Sequence, residues 1–412
     1  MEFRIVALGL PNAGKSVYLS TLHHELINSL APGVVLTVPL DERKRLTRIY
    51  DAAADPRTNS WPAATRANAK MHESKFTCSV ASRRGGAIRL LDFSYVDYAG
   101  EWLTEPSEGS SLDQDLQDQI EKANVLLGII DGRRLLEYLA GDISPHVYFY
   151  TRIRPVAEHM RAFAGPIHFV ISKWDLLRHT YTLAEVRSRL FESQDAPWLR
   201  EMVQTRTARQ GLLGRTVGTV RLIPVSSMGD FAYLDGDGNI KKNVDRAPEP
   251  CNVPVPLVAV IPDLVGLALA QPATRQKQSS TDGSEPGDPA TRIKSSGEAA
   301  DSLLKDGSAV KMAPPPPAPA PNVGLGAGGL LGTAGGVRVA AMVAVMIGVP
   351  VGQALNRAGR RAARRTRRRY RRLRATELSR VKSYESGLFY VMHHFTERLK
   401  TFDRDYPDSL LS

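Results

Sequence analysis

Apolar residues recur along the first 270 positions in two alternating rhythms. Short runs dense in Val, Ile, Leu and Phe read as buried strands. Longer stretches with apolar residues three and four apart read as amphipathic helices. Strands are predicted at Arg4–Leu8, Lys75–Val80, Ala87–Val96, Val125–Ile130, Ile167–Ile171 and Val220–Val225. Helices are predicted at Lys15–Leu30, Leu112–Ala123, His146–Phe163, Leu183–Thr205 and Val255–Leu269. Strands and helices in alternation predict an α/β fold: a mostly parallel six-stranded sheet with helices on both faces. One pair departs from this. Ser82-Arg83-Arg84-Gly85-Gly86 joins Lys75–Val80 to Ala87–Val96 as a hairpin would, which predicts one antiparallel edge strand.

Past position 270 the rhythm stops. Residues 271–322 are rich in Ser, Pro, Gly, Asp and Lys and include Pro314-Pro315-Pro316-Pro317, the composition of a disordered linker. Residues 323–356 are glycine-rich and apolar, and residues 357–375 are arginine-rich. In 376–412 a helical pattern returns, with Leu388, Val391, Met392, Phe395 and Leu399 on one face.

Charge sharpens this division. The net charge is +11, and Arg357 to Arg374 contain 11 arginines and no acid, so the remaining 43 basic residues equal the 43 acidic ones. The basic character therefore belongs to one segment. That segment reads as a solvated basic helix or as a docking tail for an acidic protein partner. It also suits an anionic membrane surface, with the apolar Val339–Gly352 beside it, although that stretch falls short of the ~20 residues of a span. Tyr370 is the one aromatic residue in the tract, so no stacking platform points to nucleic acid. Two cysteines, Cys78 and Cys251, exclude a disulfide framework and lead to the expectation of a cytoplasmic protein.

The chemistry begins where the first strand ends. Gly9-Leu10-Pro11-Asn12-Ala13-Gly14-Lys15-Ser16 is a complete G-x-x-x-x-G-K-[ST] loop between a strand and a helix. Its glycines let Asn12, Ala13 and neighbouring amides point inward at phosphate oxygens, and Val17 continues into the helix. Lys15 reaches the β- and γ-phosphates in this reading, and Ser16 ligates Mg²⁺. Asp97, at the end of the Ala87–Val96 run, sits in Asp97-Tyr98-Ala99-Gly100: a carboxylate for Mg²⁺ and a glycine N–H for the γ-phosphate. Further on, Ser172-Lys173-Trp174-Asp175 and Ser226-Ser227-Met228 each follow a strand, at the edge where α/β sheets hold ligands. The Asp175 carboxylate suits a guanine N1–H and amine, the Lys173 stem suits a purine face, and the amides of Ser226, Ser227 and Met228 suit a guanine oxygen.

These four segments in this order resemble the translation-factor-related (TRAFAC) class of P-loop GTPases over residues 1–270. Trp61-Pro62-Ala63-Ala64-Thr65 and Asn252-Val253-Pro254-Val255-Pro256-Leu257 further resemble bacterial double-GTPase-type proteins of conflict systems. The resemblance implies a Mg²⁺-dependent GTP-binding and hydrolysing switch, with Thr65 as a second Mg²⁺ ligand. Two positions depart from the family. Ser172 replaces the usual Asn, which loosens the guanine assignment and leaves an ATPase open. Glu101 replaces a water-orienting Gln, which implies slow hydrolysis or a residue supplied by a partner; a non-hydrolysing, nucleotide-bound scaffold is the rival reading. Arg133 and Arg134 read as solvated loop residues, and Asp235-Gly236-Asp237-Gly238-Asn239 as a surface turn.

Overall fold

The computed structural model describes residues 2–29, 31–62, 72–82, 85–97, 111–213, 220–261 and 377–411. Its main sheet contains β1 (Glu2–Gly9), β2 (Val34–Thr37), β3 (His72–Ala81), β4 (Ala87–Asp97), β5 (Val125–Asp131), β6 (Ile167–Ser172) and β7 (Arg221–Pro224). Their order across the sheet is β2-β3-β4-β1-β5-β6-β7. β4, β1, β5, β6 and β7 run parallel. The α/β prediction holds, with two corrections: the sheet has seven strands, and β3 is internal, antiparallel to both β2 and β4. β2 escapes a pattern search because it has four residues and only Val34 and Leu36 face the core.

Helices α1 (Lys15–Ser29), α2 (Leu40–Ala54), α3 (Ser111–Lys122) and α4 (Gly132–Ala140) follow the first strands. α2 is missed by periodicity because its first half is a charge cluster and only Leu46 and Ala53 are buried. The expected helix at His146–Phe163 is three pieces: α5 (Pro145–Tyr148), a π-helical turn (Phe149–Ile153) and α6 (Arg154–Ala162). Pro155 explains the interruption, since it has no N–H to give the preceding turn. The expected helix at Leu183–Thr205 is likewise two, α7 (Leu183–Phe191) and α8 (Pro197–Leu213). Pro197 opens α8, where its fixed φ favours a first turn. Helix α9 starts at 255 and is described to 261.

Alternate residues of β1 serve opposite faces. Ile5 and Ala7 join a core with Leu19, Leu22, Phe76 and Val258; Val6 and Leu8 join one with Leu116, Phe149 and Leu190. Helix α10 (Tyr384–Asp405) packs into the first of these. Its Leu388, Val391, Met392 and Phe395 are fully buried. The Tyr384 hydroxyl donates to the Leu90 carbonyl at 3.1 Å, and that of Tyr390 to Pro32 at 2.8 Å. The chain then reaches the far sheet edge. Arg221 pairs with Asp403, Leu410 bridges Arg221 in antiparallel fashion, and Leu411 N–H donates to Val220 at 3.0 Å. The open edge of β7 is thereby covered.

Candidate functional site

The carboxyl ends of the parallel strands converge on one cleft of about 580 Å³. β1 delivers the loop Leu10–Gly14, in which Asn12 (φ 63°) and Gly14 (φ 81°) take left-handed conformations that curl the backbone before α1. Gly9 ends β1 and accepts, through its carbonyl, a 2.7 Å hydrogen bond from Lys15 Nζ; Leu10 accepts a second at 3.2 Å. The ammonium is thus held over the loop that its own residue closes. Ala13 is buried and Val17 packs toward Trp61 and Met228.

β4 delivers Asp97, 81 residues downstream. Ser16 Oγ donates to Asp97 Oδ2 at 2.7 Å. Asp97 is 2% exposed, and its other oxygen, Oδ1, has no hydrogen-bond partner among the described residues. A buried carboxylate oxygen left bare beside a hydroxyl is a costly arrangement in the absence of a cation.

β5 and β6 supply the opposite side. Lys173 adopts φ 52° and sends its ammonium to the Asn12 carbonyl and to Asp131 Oδ1, both at 2.8 Å. Its stem passes the phosphate loop, with Cε 3.9 Å from where a Cβ on Gly14 would lie. A non-glycine residue in this conformation carries strain that the ion pair and the loop contact offset. Gly132, which begins α4, lies so close to this turn that a Cβ would meet the Ser172 carbonyl at 2.2 Å and that of Lys173 at 2.9 Å. Gly132→Ala is expected to destabilise the fold by about 1–3 kcal/mol, and a urea midpoint within error of wild type would contradict this packing.

Ser172 turns its hydroxyl to the Ile130 carbonyl of β5 at 3.2 Å, not to the phosphate loop. Asp175 is 7% exposed; its N–H donates to Ser226 Oγ at 3.2 Å, and the Ser226 hydroxyl returns a bond to Asp175 Oδ1. Burial raises the Asp175 pKa to about 6, opposed by the Ser226 hydrogen bond. Ser227 and Met228 line the cleft beside it. The fold thus brings Ser16, Asp97, Lys15, Lys173, Asp175 and the Ser226–Met228 turn together around one cleft. Thr65, Gly100 and Glu101 lie outside the described residues.

Other parts of the wall are not legible from motifs. Trp61 and Pro62 line the cleft because a small hairpin, β8 (Ala232–Leu234) and β9 (Ile240–Lys242), holds them. Trp61 Nε1 donates to the Ile240 carbonyl at 2.9 Å, and the buried Lys242 ammonium stands 5.1 Å from its ring centre while bonding Ala52 and Asp55 carbonyls at 2.7 and 3.1 Å. The hairpin's tip is the Asp235 turn; Oδ1 accepts from Asp237 and Asn239 N–H groups at 3.0 and 2.7 Å, as a surface turn requires. Arg133 and Arg134 are corrected. They occupy the first turn of α4, pair with Glu137 at 3.3 and 2.7 Å, and line the cleft.

No family model matches the chain, and no curated protein matches it. Several solved structures are similar. The signal recognition particle receptor SRb-GTP/SRX complex from Chaetomium thermophilum is 13% identical over 55% of this chain and 92% of that one, with a TM-score of 0.29. The G domain of the T. maritima FeoB iron transporter is 13% identical, covering 55% and 89%, with a TM-score of 0.22. The Arl6 small GTPase from Trypanosoma brucei, with a bound nucleotide analogue, is 11% identical over 55% and 88%, also at 0.22. The functional reading rests on the cleft itself.

Proposed function

We propose that the chain is a Mg²⁺-dependent GTP-binding and hydrolysing switch, a P-loop GTPase in its nucleotide chemistry. The observation that carries this reading is the 2.7 Å contact of Ser16 with Asp97, whose second oxygen has no partner among the described residues. A hydroxyl and a carboxylate oxygen at the start of a phosphate loop suit Mg²⁺, which takes few protein oxygens and completes its shell with water and phosphate. When bound, the metal neutralises phosphate charge. Thr65 is the second protein ligand of this reading.

Binding falls to the loop and to Lys15. On nucleotide entry Lys15 exchanges carbonyl contacts within its own loop for phosphate oxygens, while the amides of Asn12 to Val17 and the α1 dipole receive the rest. Lys173, fixed by Asp131, keeps the loop and the base turn in register. Asp175 and the Ser226–Met228 amides read guanine. In hydrolysis a water oxygen bonds the γ-phosphorus. The bond to the β,γ-bridging oxygen breaks, its electron pair stays on the β-phosphate, and the water proton leaves on inorganic phosphate. Gly100 and Glu101 act there in this reading, the one sensing the γ-phosphate and the other orienting water. The arginine tract sets location or partner choice, toward an acidic protein or an anionic membrane.

Base reading has a pH signature. Asp175 must be ionised to accept from guanine, so guanine affinity is expected to fall as pH drops through about 6. The effect on stability has the opposite sign. The folded-state pKa is raised above its unfolded value of about 3.8, so the native state binds more protons between those values. Its stability therefore declines as pH rises from about 4 to about 6. Asp175→Asn should consequently raise the unfolding midpoint at pH 7 while weakening GTP and favouring XTP. Retention of the wild-type GTP preference over XTP would remove Asp175 as the base reader. The decisive test of the function is competition of GTP against ATP on the full chain, followed by single-turnover phosphate release. Equal affinity would favour an ATPase, and binding without release a scaffold.

A further inference from the structure

The stretch after β5 brings to the cleft three arginines that nucleotide recognition as described above does not use: Arg133, Arg134 and Arg152. Arg133 and Arg134 share one carboxylate, Glu137, and Lys173 is matched by Asp131. Arg152 forms no ion pair among the described residues. This side of the cleft is therefore positive without its anion.

A second observation stands beside Arg152. Tyr148 lines the same cleft and is 1% exposed, yet its hydroxyl has no hydrogen-bond partner among the described residues. A buried hydroxyl left unpaired costs about 1–3 kcal/mol. Burial raises the Tyr148 pKa well above its usual value, Asp131 adds to the rise, and the Arg152 charge opposes it. The phenol is therefore a donor that stays protonated, within electrical reach of an unmatched guanidinium. The backbone is irregular at this point. The π-helical turn Phe149–Ile153 contains Arg152 and follows directly on Tyr148, and π turns recur at ligand sites. The same cleft wall includes Leu10, Pro11 and Asn12, the opening half of the phosphate loop.

We propose that Arg152 and the Tyr148 hydroxyl form a second phosphate subsite that receives the terminal phosphoryl group of the bound nucleotide. The proposal rests on the triphosphate reading and deepens it. Lys15 and the loop amides take the inner phosphates, and Arg152 places a fork of N–H donors where the outermost oxygens carry the most charge. The hydroxyl donates to one of the same oxygens. Such donors matter most as charge shifts during phosphoryl transfer, so Arg152 supplies in the chain itself the guanidinium that many phosphoryl-transfer sites borrow from a partner.

The experiment titrates GTP and GDP, each with Mg²⁺, into full-length wild type, Arg152→Ala, Arg152→Lys and Tyr148→Phe, and measures single-turnover phosphate release. Thermal unfolding of each variant checks that it is folded. Arg152→Ala should lower GTP affinity by about tenfold or slow release by about 10²-fold, with GDP affinity unchanged; Arg152→Lys should recover part of the loss. Tyr148→Phe should act in the same direction and more weakly. The GTP-to-GDP ratio is the readout that a purely structural role leaves still. Equal loss of GTP and GDP, or no loss of either with wild-type release, overturns the subsite while leaving the triphosphate reading intact. Wild type that binds neither nucleotide overturns both.

Discussion

Deletion of residues 377–411 should abolish cooperative folding of residues 1–270. α10 contributes Leu388, Tyr390, Val391, Met392, Phe395 and Phe402 to the main core, each nearly or fully buried. At about 1.5–3 kcal/mol per large apolar side chain, their loss is on the order of 10 kcal/mol. That is comparable to the whole stability of a typical domain, about 5–15 kcal/mol. The same core includes α9, whose described residues 255–261 carry no charged side chain. The deletion strips the Arg221–Asp403 pair and the Leu410 bridge from the β7 edge as well. Far-ultraviolet circular dichroism should lose its sharp melt, and a dye for exposed apolar surface should bind. A truncated chain that melts cooperatively near the full-length temperature would refute this account of α10. Nucleotide measurements accordingly belong on the full chain.

Lys15→Ala carries the largest expected functional loss. Lys15 is 7% exposed, and its ammonium is held over the Gly9 and Leu10 carbonyls. Its removal deletes the charge that faces the inner phosphates and leaves those carbonyls to turn phosphate away. Triphosphate affinity should fall by about 100-fold or more, with an unfolding midpoint near wild type, since alanine is the better helix former at the start of α1. Equal binding of labelled GTP by mutant and wild type would end the phosphate-loop assignment.

The parts of the site that are legible in the sequence are those whose backbone makes the chemistry. The Gly9–Ser16 loop needs a curl, and only certain residues curl; Asn12 and Gly14 take the left-handed conformations that the pattern implies. Asp97, Asp175 and the Ser226–Met228 turn sit at strand ends, and strand ends follow from apolar runs. What stays illegible is held by single side chains across long sequence distances. Nothing local ties Lys242 to Ala52 and Trp61, or Tyr148 to an anion. α2 hides because a charged helix has little periodicity to read, and β2 because four residues give too few alternations. α10 is legible as an amphipathic helix, but amphipathicity names a face to be covered and not the surface that covers it. The π turn before Pro155 is the same problem in reverse. Proline predicts an interruption, whereas the identity of the side chains it turns toward the cleft depends on tertiary packing.

The docking of α10 also sets an order of events during synthesis. The sheet face that α10 covers is made of residues completed by position 261, but its cover begins at position 377. At ~5–20 residues per second, the ribosome leaves that face without its cover for roughly 6–25 seconds after residue 261 has been made. A nascent chain in that interval lacks the helix that packs on Val80 and Leu90. Such a protein should depend on holding chaperones while it is being made, and respond poorly to a stop codon anywhere before the covering helix is complete.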